Sequence, residues 1–109
     1  MTANHEADSL DEKLALARES WVNIWSMDEL RSFVAYAYRQ LLIVLRVEVY
    51  EVRNDSYVPL TEYTFYMDSA PSDGVNRIPE NKTAISKLIE LLEADGRSLH
   101  HQVWVSEPF

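Results

Sequence analysis

The feature that most constrains this chain is a change of hydrophobic period at Leu42. Before it, apolar residues recur at helical spacing; after it, they alternate as a half-buried strand requires. Leu30, Phe33, Val34, Ala37 and Leu41 mark one face of a helix. Ile43, Leu45, Val47 and Val49 then alternate with Val44, Arg46, Glu48 and Tyr50. A chain that switches period so abruptly belongs to the α+β class, with helices and strands closing one core.

Start and stop signals extend this reading. Ser9 and Glu12 form an S-x-x-E capping box, followed by Leu10, Leu14, Ala17, Trp21 and Ile24 or Trp25 in a narrow helical stripe. Residues 1–8 read as a flexible tail ahead of a single domain over 9–109. A second box at Ser26 and Glu29 opens the next helix, so the chain turns sharply at Ser26. Asn54, Asp55 and Ser56 supply turn chemistry between the first strand and a second one over 57–67. Pro59 confines that second strand to a sheet edge, a strand start or a bulge. After a loop with Pro71, Gly74 and Pro79, a third helix is predicted over 82–94. Its apolar stripe is Ile85, Leu88, Ile89 and Leu92, with Asn81 as cap and Gly96 as stop. The last strand, 98–105, sets Leu99, His101, Val103 and Val105 against His100, Gln102 and Trp104. The predicted order is ααββαβ: a small three-stranded, mainly antiparallel sheet with helices packed on one face.

Composition narrows the chemistry. Eighteen acidic against ten basic residues leave a formal charge of −8. Such a chain is repelled by nucleic-acid phosphates and anionic membranes and favours partners with a basic surface. The longest apolar run, 41–45, falls far short of the ~20 residues of a membrane span. No basic and apolar leader opens the chain, so a cytoplasmic location is expected. Without cysteine there is neither disulfide nor thiolate metal site.

Catalytic constellations are missing too. Gly74 and Gly96 stand too far apart to cradle a phosphate, and no serine lies in a nucleophile elbow. His100 and His101 are adjacent on a strand and point to opposite faces, and His5 could join them only from another molecule. The expectation is one inward histidine with a hydrogen bond and one facing solvent, with no metal. The carboxylate pairs Asp28/Glu29, Glu90/Glu93 and Glu48/Glu62 all have structural explanations in helix dipoles, exposed faces and cross-hairpin pairing. No catalytic residue, no cofactor and no enzymatic activity are therefore expected.

Aromatic residues offer the candidate binding surface. Tyr50, Tyr66 and Trp104 fall on the register opposite the core, bordered by Arg46, Glu48, Glu62 and Gln102. They form an interface if helices cover one side of the sheet only. They are buried if both sides are covered, or displaced if a bulge at Pro59 reverses the register. Trp21 and Trp25, four residues apart, read either as core or as a second interface, a dimer seam or partner groove. The stretch holding Asp55, Glu62, Asp68 and Asp73 without a base could also imitate a nucleic-acid backbone.

These features favour a small acidic protein-interaction module: an inhibitor, immunity-type protein or adaptor for a basic, nucleic-acid-handling protein. In size and charge the chain is similar to small cytosolic immunity proteins and to phage or mobile-element inhibitors of defence enzymes, a likeness of composition carried by no motif. Two alternatives stand beside it. One is a homo-oligomeric ligand-binding protein or small enzyme using Tyr36, Tyr38, Tyr63 and His101; the other is a subunit or assembly factor of a larger complex.

Overall fold

A computed structural model describes residues 3–19, 21–24, 26–67 and 74–108. In chain order they form α1 (Ala3–Glu19), β1 (Val22–Ile24), α2 (Met27–Arg39), β2 (Val44–Arg53), β3 (Ser56–Pro59), β4 (Phe65–Tyr66), α3 (Ile78–Asp95) and β5 (Leu99–Val105). Short 3-10 turns occupy Thr61–Tyr63 and Gly74–Arg77. The fold is α+β, and all its strand pairings are antiparallel. Among the described residues the sheet has five strands rather than the predicted three, in the order β1-β5-β2-β3, with β4 also on β2.

Both extra strands can be traced to particular residues and their pairings. α1 ends at Glu19, and the residues predicted to continue it instead alternate: Val22 and Ile24 are buried and Asn23 is exposed. Two β-branched residues around a polar one favour this pleat, which pairs with Val103 and His101 of β5. The predicted second hairpin strand is split. Asn54 and Asp55 both adopt positive φ, 46° and 65°, in a two-residue turn that matches strand twist. That turn sets Arg53 opposite Ser56, Val52 opposite Tyr57 and Tyr50 opposite Pro59. Pro59 has no N–H for the ladder, and Leu60 turns inward, its N–H donating to the Val49 carbonyl at 2.8 Å. After one 3-10 turn, β4 resumes the same edge with Phe65 opposite Val47 and Tyr66 opposite Arg46.

The helices depart from expectation at their ends. α1 reaches back to Ala3, so Ser9 and Glu12 lie within it rather than capping its start. Ser26 does cap α2, accepting from the Glu29 N–H at 3.1 Å, while the Glu29 carboxylate binds Lys13 of α1 at 3.0 Å. α2 ends at Arg39, and Leu41, predicted on its buried face, is 56% exposed at a φ of 59°. Leu42 and Ile43 take the core positions instead. α3 starts at Ile78 with Pro79 in its first turn, so Asn81 is not its cap, and Gly96 ends it at a φ of 80°.

Leu14 and Ala17 of α1, Leu30, Phe33 and Ala37 of α2, and Ile85 and Leu92 of α3 meet Val47, Val49, Leu99, Val103 and Val105 in one core. A register shift between Val44 and Arg46 breaks strict alternation and buries Ile43 and Val44 side by side. The backbone groups exposed by this irregularity are met by side chains. Ser106 accepts from the Ile43 N–H. Asn81 brackets Val44, accepting from its N–H and donating to its carbonyl, each at 2.9 Å. Among the described residues no helix is long and apolar enough to cross a membrane.

Candidate interaction face

Cross-strand register places the predicted aromatic residues together. In antiparallel pairs, directly opposite residues share a face. Arg46 lies opposite both Trp104 and Tyr66, Glu48 opposite Gln102, and Tyr50 opposite His100, all on the side away from Val47, Val49 and Val103. The Arg46 guanidinium stands 4.8 Å from the Trp104 ring centre and 5.5 Å from that of Tyr66. This is cation–π geometry, and the pair to Glu48 anchors it. Glu48 also accepts from the Tyr50 hydroxyl at 2.7 Å, which pushes the Tyr50 phenol above its ordinary pKa. Three aromatic residues, one cation and one carboxylate thus form a single connected patch.

Beside the patch lies a cavity of about 240 Å³ lined by Trp21, Asn23, Tyr50, Tyr57, His100 and Gln102. Tyr57 stands edge-on to Tyr50 at 6.3 Å and tilts over His100 at 4.9 Å. These rings explain why His100, expected to face solvent, is only 3% exposed. Its Nε2–H donates to Asn23 Oδ1 at 3.1 Å, an oxygen that also accepts from Gln102 at 3.4 Å. Burial pushes the His100 pKa below its ordinary 6.5, so the imidazole is neutral at pH 7.

Other predicted site residues lie elsewhere. The structure separates Glu62 from the aromatic residues: it sits on the 3-10 turn after β3 and reaches Arg97 at 3.8 Å. Arg97 is shared with Glu51 at 3.7 Å and with Asp95, whose oxygens accept two bonds of 2.6 Å. Tyr63 donates to Asp95 at 2.5 Å. Arg97, and then the Tyr63 hydroxyl, hold the Asp95 carboxyl well below the usual carboxylate range. This cluster ties the end of α3 to β2 and leaves Asp95 ionised, unfit as a proton donor near neutrality. Trp21 follows the end of α1 rather than lying on a helical face, while Trp25, Asp68 and Asp73 lie outside the described residues.

Tyr36, Tyr38, Tyr63 and His101 do not converge on one site. Their polar atoms go to Asp11, Asn81, Asp95 and the Ile24 carbonyl respectively. Among the described residues, no group of three or more His, Asp or Glu is placed to hold a metal ion.

Asn23, Tyr57 and His100 belong to the face and are missed from sequence, and Trp21, expected as core or as a second interface, lines the cavity beside the face. A signal for Tyr57 exists: a two-residue turn at Asn54 and Asp55 aligns it with Val52, hence on the face of Tyr50. The chain matches no protein-family model and no curated protein, so the function of this face is argued from its own residues.

Proposed function

We propose that the chain is a protein-interaction module, an inhibitor or adaptor that engages a basic protein partner through the sheet face carrying Trp104, Tyr66, Tyr50 and Tyr57. The observation that carries the reading is the exposure of large rings on that face: Tyr66 is 58% and Tyr57 48% exposed. Exposed aromatic clusters rimmed by polar residues bury large area at little rotamer cost, which suits the centre of an interface. The charge of −8 supplies the second half of the argument, because it draws a basic surface and repels nucleic acid. Glu48 and Arg46 already neutralise one another inside the patch. The steering charge therefore comes from the acidic body around the face, leaving an almost neutral aromatic centre.

The test compares tagged wild type with Trp104→Ala and Tyr66→Ala in affinity capture from the native host, followed by titration of the recovered partner. Central aromatic residues of an interface cost about 2 kcal/mol or more on truncation, so each variant is expected to bind about thirtyfold more weakly. Binding by the wild type is also expected to weaken as salt rises. Unchanged affinity in both variants would place the interface elsewhere.

A further inference from the structure

We propose that the cavity lined by Trp21, Tyr50 and Tyr57 is a receptor for a guanidinium group, the side chain of an arginine presented by the partner. The inference rests on the interaction reading above and names the chemistry that the face would recognise. Three observations carry it.

The first is that the neighbouring half of the same face already holds a guanidinium. Arg46 lies against Trp104 and Tyr66, at 4.8 and 5.5 Å from their ring centres, with Glu48 as its anion. The cavity repeats the rings of that arrangement, with no carboxylate among its described lining residues. Trp21, Tyr50 and Tyr57 supply rings, and the Tyr50 hydroxyl carries the Glu48 carboxylate on its edge at 2.7 Å. The six described lining residues include no lysine or arginine.

The second observation is size and polarity. A volume of about 240 Å³ takes a planar side-chain head and its last methylenes but not a folded ligand of drug size. Ring faces attract a cation through their quadrupole, and a guanidinium, planar and weakly hydrated, stacks on them better than an ammonium does. Gln102 adds an amide oxygen among the lining groups, while that of Asn23 is already taken by His100 and Gln102, and a guanidinium offers donors only.

The third is charge. Among the described residues nothing cationic on the cavity wall opposes entry, since burial keeps His100 neutral at pH 7. The charge of −8 on the whole chain raises the local concentration of cations over an anionic competitor.

The experiment titrates the full chain, labelled with nitrogen-15, with Nα-acetyl-arginine amide and separately with the citrulline and lysine counterparts. Citrulline keeps the shape of arginine and removes the charge. The expected result is saturable shifts for arginine at the amides of Trp21, Asn23, Tyr50, Tyr57, His100 and Gln102, and at the Trp21 indole. Binding of the lysine and citrulline compounds is expected to be weaker. Tyr57→Leu keeps an apolar side chain at an exposed position but removes the ring, and is expected to weaken arginine binding about tenfold. Equal shifts with citrulline, a lysine compound that binds as well as arginine, or a Tyr57→Leu chain that binds normally would each overturn the proposal. If arginine fails to bind while partner capture still depends on Trp104 and Tyr66, the receptor is refuted and the interaction face stands. If arginine binds as described while no partner depends on the face, the receptor stands and the interaction reading falls.

Discussion

Asn81→Ala is expected to destabilise the fold by about 3–5 kcal/mol, a large effect for a single polar substitution. The Asn81 side chain is buried and satisfies three other buried groups. Its Oδ1 accepts from the Val44 N–H at 2.9 Å and from the Tyr38 hydroxyl at 2.6 Å, and its Nδ2 donates to the Val44 carbonyl at 2.9 Å. Val44 needs a side chain here because β4 ends opposite Arg46, short of Val44. Asn81 therefore stands in for one residue of a missing strand. Alanine leaves all three partners without their bonds, and each buried orphan costs about 1–3 kcal/mol, partly offset where water enters. Against a typical domain stability of about 5–15 kcal/mol, that is a large share. The urea midpoint should fall with little change in slope, and Tm should drop by about 15–25 °C. Tyr38→Phe removes only one of the bonds and should cost about 1 kcal/mol. A loss below 1 kcal/mol in Asn81→Ala would show that the bracket around Val44 is dispensable.

The same residue shows where reading from sequence stops. Asparagine just ahead of an apolar stripe reads as a helix cap, because caps are the local role such a residue most often fills. Its actual role depends on Val44 and Tyr38, both distant in sequence, and no periodicity reports that. The period switch at Leu42, the Ser26 cap and the Gly96 stop are local signals, and each stands in the structure. β1 is different: three residues sample too little of a period, and Leu14, Ala17, Trp21 and Ile24 fit a continued helix equally well. Pairing with β5, a contact distant in sequence, decides the matter.

The candidate face was more legible than the fold around it. Tyr50 and Trp104 lie on regular stretches of β2 and β5, where alternation alone assigns a side. Tyr66 keeps that side although the strand before it breaks, because β4 resumes in register with Arg46. Glu62 fell out of the set for the converse reason. It occupies the 3-10 turn, where alternation has no meaning, and its position follows the Arg97 ion cluster instead. Alternation also cannot see that one ring shields another, and so His100 was expected in solvent.

Acidification should destabilise the chain in two separate steps, the first carried by the histidines of β5. His101 is fully buried, its Nδ1–H donates to the Ile24 carbonyl at 3.2 Å, and its Nε2 has no hydrogen-bond partner among the described residues. Burial, with a smaller push from neighbouring His100, lowers its pKa below 6.5. Glu93 and Arg97 line the cavity beside it, one charge of each sign. Because the folded pKa lies below the unfolded one, the unfolded chain takes up the proton first. The stabilisation is complete above about pH 6.5 and is lost as pH falls through the folded value, at up to about 1.4 kcal/mol per pH unit for one group. His100 is displaced in the same direction and adds to the slope. Asp95 acts in a lower window, below about pH 4, where the unfolded carboxyl takes up a proton while Arg97 still holds the folded one ionised. His101→Gln retains a neutral donor for the Ile24 carbonyl and removes the titration. Urea midpoints between pH 7 and 5 should therefore flatten in this variant while the step below pH 4 remains. A wild-type slope in His101→Gln would remove His101 from the account. Expulsion of the protonated ring breaks its bond to Ile24 of β1, and the preceding residue of that strand, Asn23, lines the aromatic cavity with Trp21. Hydrogen-exchange protection factors should accordingly fall first at Val22–Ile24 as pH falls to 5, ahead of α2 and α3. Loosening at that edge couples the acid sensitivity of the core to the geometry of the face.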